Sequence, residues 1–227
     1  MGAMDNFTSY IIYAAAIFGP MIVAITFHEV AHGRVALMLG DTTARDLGRL
    51  SLNPIQHVDP FGTIILPLML ALVGAPIFGW AKPVPVVRER LRSPIIGMAL
   101  VAAAGPAVNL LLALVSALLF VLIQPAQGGF GFYALVGSLL VNIFLALFNL
   151  LPIPPFDGSR IIRPLLSGSW GERWDRLDRA GLAILLIFLV LIPWVAPAFD
   201  PLRWLVLPAA DWTAQSLLQL AALLTGR

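Results

Sequence analysis

Met21-Ile22-Val23-Ala24-Ile25-Thr26-Phe27-His28-Glu29-Val30-Ala31-His32-Gly33 sets His, Glu and His at the end of a run otherwise fit for lipid. No charged residue stands from Asn6 to Phe27. About 20 apolar residues suffice to span a bilayer, so residues 10–39 read as a membrane helix. A charge at the centre of such a helix costs about 2.5–3.5 kcal/mol on insertion scales, and groups kept against that cost ask for a function. On a helix, His28 and His32 lie one turn apart on one face, the spacing that chelates a single zinc ion. Glu29 stands about 100° round the axis, close enough to take a proton from water at that ion.

The rest of the chain agrees with a membrane setting. Of 227 residues, 59% are hydrophobic and 11% charged, against roughly 25% charged in a soluble domain. Fourteen basic and 12 acidic residues leave a net charge of +2, which gives no electrostatic footprint for nucleic acid. The absence of cysteine excludes disulfides, iron–sulfur clusters and thiolate metal sites, so any metal must be held by His, Asp or Glu.

Charge-free stretches also cover residues 60–81, 93–156 and 180–199. Helices are expected at 10–39, 94–123, 132–149 and 178–195, with 202–224 as a further or interfacial one. Pro67, Gly74 and Pro76 interrupt residues 63–78, which read as a re-entrant segment. The expected fold is all-α: a polytopic transmembrane helical bundle of about five to six membrane segments, with a short re-entrant or extended segment near 63–86. A single integral-membrane domain over 1–227 is expected, with a catalytic core at about 10–166 and C-terminal helices at about 178–224.

Basic residues orient the bundle. Arg45, Arg49, Lys82, Arg88, Arg90 and Arg92 form one group, residues 160–179 supply five Arg, and loop 124–131 has none. If 63–78 returns to its starting side, both basic groups share that side. The positive-inside bias makes it cytoplasmic and leaves the N-terminus outside. The N-terminal segment lacks the basic start of a cleaved signal, so the first span is expected to be retained.

A catalytic zinc needs a third protein ligand and an open position for water. Asp157, Asp59 and His57 are the candidates. His57 and Asp59 belong to the turn-rich loop Asn53-Pro54-Ile55-Gln56-His57-Val58-Asp59-Pro60. Asp157 closes Asn149-Leu150-Leu151-Pro152-Ile153-Pro154-Pro155-Phe156-Asp157-Gly158, where prolines stop a membrane helix and free backbone groups that lipid cannot satisfy. An acid delivered there faces the protein interior, which makes Asp157 the third ligand. Arg34, near the helix end, reads as a side chain that snorkels to the interface.

These residues resemble the site-2 protease family of intramembrane zinc metalloproteases, in particular small members without a PDZ domain. Four passages carry the likeness in order: Phe27 to Gly33; the loop from Asn53 to Thr63 with Gly79-Trp80-Ala81-Lys82-Pro83-Val84-Pro85-Val86; Ala104-Gly105-Pro106-Ala107-Val108-Asn109; and Asn149 to Gly158. The resemblance implies one Zn2+ ligated by His28, His32 and Asp157, with Glu29 as general base. It also implies Asn149 at substrate or the developing oxyanion, and Asn109, Lys82 and Pro83 at substrate, although Asn109 reads equally as a hydrogen-bonding residue between helices. The reaction implied is hydrolysis of a peptide bond in or near the transmembrane helix of a membrane-anchored protein, in the cell membrane, with the site toward the cytoplasm. A non-proteolytic membrane subunit or scaffold that retains the motif is the alternative. A transporter using His and Asp as carriers needs neither Glu29 nor the proline-broken Asp-Gly passage.

Overall fold

Uncharged runs of Leu, Ile, Val and Ala satisfy their backbone groups most simply as helices, and the computed structural model places three long ones side by side. It describes residues 3–72, 74, 79–196 and 202–227. Helix α1, Ala3–Met38, ends ahead of Gly40, whose φ of 111° is open to glycine at little cost. After a loop and the short apolar helix α2, Pro60–Leu72, comes α3, Pro94–Ile123, which begins on a proline where a missing N–H costs nothing. Helix α4, Phe130–Asn149, stops before the prolines at 152, 154 and 155. Three helices follow: α5 (Asp157–Ile162), α6 (Gly168–Arg179) and α7 (Gly181–Leu186), the last continuing to Val195 through a wider, π-type turn. The chain closes on α8, Leu207–Leu224.

Helices α1, α3 and α4 pack on one another, and α8 lies against α3 and α4. Small residues make the contacts. Ala113 and Ala117 of α3 meet Ala210, Ala214 and Ala221 of α8 in one core cluster. At Gly137 of α4 a Cβ would come within 2.9 Å of the Ala16 carbonyl oxygen of α1. In lipid no hydrophobic effect drives helices together, so close backbone approach and polar bridges such as Ser116–Ser138, at 2.8 Å, do that work. The outward faces are apolar, with Phe18, Ile22, Ile96, Leu100 and Leu111 exposed.

Three helices among the described residues are long and apolar enough to cross a membrane: Ile12–Met38, Pro94–Ile123 and Phe130–Asn149. Five to six segments were expected from the sequence. Helix α2 is about 20 Å long, short of a hydrocarbon core of about 30 Å. Its excursion also returns: Trp80 N–H donates to the Gly62 carbonyl at 3.1 Å and Thr63 Oγ1 donates to the Trp80 carbonyl at 2.9 Å. The two ends of the excursion therefore lie together, and residues 73 and 75–78 of the stretch expected to re-enter lie outside the described residues.

The helix expected at 178–195 starts later and is not among those three. Asp178 and Arg179 end the charged helix α6, and a turn at Ala180 separates it from α7. Residues 197–201, within the expected C-terminal helices at 178–224, also lie outside the described residues. Residues 79–87 run extended before a short turn at Arg88–Arg90, and no β-strand occurs among the described residues.

Candidate metal centre

Helix α1 carries His28 and His32 into contact with α3, and the proline-rich passage after α4 brings Asp157 to them at the start of α5. Asp157 Oδ2 lies 3.2 Å from His28 Nε2 and 3.3 Å from His32 Nε2. His28 and Asp157 are buried and His32 nearly so. Gly105 of α3 forms the floor beneath both rings: a Cβ there would stand 2.5 Å from His28 Cε1 and 2.6 Å from His32 Cε1.

Hydrogen bonds on the far side of each ring assign its tautomer. Asn109 gives its amide hydrogens to Asn142 Oδ1, at 2.8 Å, and to the Ala24 carbonyl, at 3.2 Å. Its Oδ1 therefore faces His28 Nδ1, at 2.6 Å, and accepts a hydrogen bond from it. His32 Nδ1 lies 2.7 Å from the Val101 carbonyl, which can only accept. Both rings thus carry hydrogen on Nδ1 and turn the Nε2 lone pair inward, the arrangement metal-ligating histidines adopt.

Two lone pairs and a carboxylate oxygen this close repel unless a cation lies among them. Asp157 Oδ2 is itself enclosed without a hydrogen-bond partner. Zinc bonds of about 2.0–2.1 Å at tetrahedral angles place ligand atoms about 3.3–3.4 Å apart, which the two measured separations match closely. The donor set fits zinc.

Glu29 lies on the next face of α1, and its Oε2 accepts the Val84 N–H at 2.7 Å. Val84 belongs to the extended segment, whose backbone N–H groups reach inward in series. Trp80 donates to the Gly62 carbonyl, Lys82 to the His57 carbonyl, Val84 to Glu29 and Val87 to Asp41. Gly33 lets the segment approach α1, since a Cβ there would meet Val84 Cγ1 at 2.8 Å and Leu50 Cδ2 at 2.5 Å. Pro83 and Pro85 have no N–H, and neither interrupts this series.

The expected site residues divide accordingly. His28, His32 and Asp157 come together as the one candidate metal group among the described residues, and Glu29 stands beside them. His57 and Asp59 do not join them. His57 Nε2 lies 2.9 Å from the Ser51 carbonyl, and Asp59 Oδ1 caps α2 by accepting from the Phe61 and Gly62 N–H groups. Asn109, expected at substrate, is placed elsewhere: it is 0% exposed and holds His28. Lys82 and Pro83 are exposed on the outer side of the extended segment. Asn149 is half-buried, with its amide donating to the Leu145 carbonyl of its own helix. Sequence reasoning gave no role to Val84, Asn142, Gly105 or the buried Asp41, although Val84 and Gly105 stand in the passages that carry the likeness and Asn142 is a polar residue inside an apolar helix.

Comparison with known proteins agrees with this geometry. The profile of peptidase family M50 matches residues 126–192, which include Asn149 and Asp157. A Bacillus subtilis protein provisionally named as zinc metalloprotease YwhC is 40% identical over 179 residues, 75% of this chain and 78% of its own length. The chain belongs to peptidase family M50. The family resemblance read from the four passages therefore holds, and this M50 member is a metalloprotease. Similar too are a provisionally named zinc metalloprotease Rip2 of Mycolicibacterium smegmatis, 29% identical over 86% of this chain and 72% of its own, and one from Methanocaldococcus jannaschii, 32% identical over 60% and 63%. No solved structure matches.

Proposed function

We propose that this metalloprotease hydrolyses a peptide bond in or near the transmembrane helix of a membrane-anchored protein, using one zinc ion held by His28, His32 and Asp157. The observation that carries the reading is the enclosure of two inward Nε2 lone pairs and an unpaired carboxylate oxygen between helices fit to cross a membrane. A zinc ion there supplies Lewis-acid polarisation of the scissile carbonyl and renders water nucleophilic near neutral pH. Glu29 removes the proton of the attacking water and passes it to the leaving nitrogen. The Val84 N–H engages Oε2 and leaves Oε1 for the water. Asn149 spends one amide hydrogen on Leu145 and gives the other to the developing oxyanion.

Placement in the cell membrane follows from charge. Arg88 of the first basic group lies 3.6 Å from Asp175 in the second, so both groups occupy one end of the bundle. By the positive-inside bias that end is cytoplasmic. His32 lies about 10 Å from it along α1, and Asp157 enters from the same end, so water reaches the site from the cytoplasm. A substrate helix must unwind there before its carbonyls are accessible, and helix-weakening residues in the substrate are expected.

The test is cleavage of a single-span substrate in liposomes by the wild type and by Glu29→Gln. The variant should keep its zinc and lose about a thousandfold in rate. Unchanged cleavage would refute Glu29 as the base. Asp157→Ala should lose zinc, whereas His57→Ala should keep it.

A further inference from the structure

Beside the metal centre, at the same end of the bundle, a cavity of about 200 Å³ opens between the first turns of α3 and α5 and the C-terminal half of α6. Its lining contains three guanidinium groups and two carboxylates, and they are not evenly matched. Arg163 binds Asp175 as a fork, at 2.7 and 2.9 Å. Arg88 reaches only that same carboxylate, at 3.6 Å, and Arg160 lies 3.9 Å from Asp178. Arg88 and Arg160 are therefore left with donors to offer. Asp178 Oδ1 and Ser159 Oγ are the reverse case, enclosed without any hydrogen-bond partner.

A site with two underused guanidinium groups and a carboxylate oxygen lacking a donor is matched by a zwitterion, anionic at one end and ammonium at the other. Guanidinium groups favour phosphate through paired N–H contacts. The remaining wall is apolar. Ile95 and Met98, on the opening turns of the membrane helix α3, line it, so the cavity sits at the level where lipid headgroups meet the bundle. We propose that it receives the phosphoethanolamine headgroup of a membrane phospholipid, with phosphate on Arg88 and Arg160 and ammonium on Asp178. The consequence reaches the active site. Ser159 and Arg160 share the two-turn helix α5 with Asp157, so a bound headgroup ties down the element that presents the acid.

The proposal rests on the membrane placement argued above, and direct binding separates its failure from failure of the protease reading. The full chain, purified in a maltoside detergent, is titrated with short-chain phosphatidylethanolamine, phosphatidylcholine and phosphatidylglycerol, and with glycerophosphoethanolamine as the free headgroup. Binding is read by native mass spectrometry, and zinc content is measured in parallel. Phosphatidylethanolamine should bind at least tenfold more tightly than the other three. Arg160→Gln and Arg88→Gln, on separate elements, should each weaken it about tenfold with zinc retained. Asp178→Asn should erase the preference over phosphatidylcholine. Equal binding of all headgroups, or binding untouched by both arginine variants, overturns the proposal. Equal affinity for glycerophosphoethanolamine overturns the lipid as the source.

Discussion

The metal group and the extended segment at 79–87 meet at Glu29, yet they are held in opposite ways. Each metal-group histidine is locked from behind by a buried side chain or carbonyl on α3, with Gly105 against both rings. The extended segment has no ladder; scattered hydrogen bonds hold it, from its own N–H groups to Gly62, His57, Glu29 and Asp41 and into its carbonyls from Thr63 and Arg49. On the proposed reading, metal binding is a property of helix packing, whereas the orientation of the base depends on a strip of chain held by separate, scattered hydrogen bonds. Damage to the first should remove zinc. Damage to the second should leave zinc in place and slow turnover.

The most severe break is expected at the shared floor. Gly105→Ala puts a methyl group within 2.6 Å of atoms in both imidazoles. Both rings must move, and zinc affinity should fall by about a hundredfold or more, with cleavage lost in proportion. Full zinc occupancy in this variant, measured on the purified protein, would show that the rings tolerate displacement and would erase the contrast. Asn109→Ala should come next. It frees His28 Nδ1 and leaves Asn142 Oδ1 without its donor, so zinc affinity should drop about 10- to 100-fold and stability by about 1–3 kcal/mol. Competition with a chelator reads the first and thermal unfolding in detergent the second.

Val84→Pro tests the other half. It removes the N–H that Glu29 accepts, while Val84→Ala keeps that N–H and loses only the side chain. Turnover of the proline variant should fall about tenfold below that of the alanine variant, with equal zinc content, since one charge-assisted hydrogen bond is at stake. Zinc loss in Val84→Pro would mean that the two regions are not separable.

Legibility in the sequence follows the same division. His28, Glu29, His32 and Asp157 stood out because ionisable groups are conspicuous against apolar runs, and the prolines before Asp157 announced irregular backbone. The ends of α3 were readable for the same reason, since Pro94 and the polar residues from Gln124 bound a charge-free stretch. What escaped was carried by atoms common to every residue. The Val84 N–H has no signature in a side chain, and Gly105 matters only through what packs on it. Asn109 could be recognised as a buried polar residue, but its partner lies 81 positions away on another helix. The start of α7 was misplaced because charges at 175–179 adjoin an apolar run without a proline, and Ala180 marks the turn only in three dimensions.

The mildest prediction concerns the far end of the extended segment. Asp41 is 0% exposed and accepts N–H groups from Val87 and Thr43 as well as the Thr43 hydroxyl. Burial alone would push its carboxyl up, but these donors, with Arg90 nearby, outweigh burial and hold it below the usual carboxylate range. A depressed folded value means that the anion adds stability above the unfolded value of about 3.9, and that this contribution disappears as pH falls through the folded value. Asp41→Asn should therefore lower stability by about 1 kcal/mol at pH 7, and the penalty should shrink as pH falls below about 4, where the unfolded chain takes up its proton, and be lost below the depressed folded value. Thermal unfolding of both proteins in detergent at pH 7 and at about pH 3 measures it. A penalty of the same size at both values would mean that Asp41 acts through shape rather than charge. Zinc content should not change at neutral pH, because Asp41 fastens the strip of chain beside the metal centre and touches no ligand.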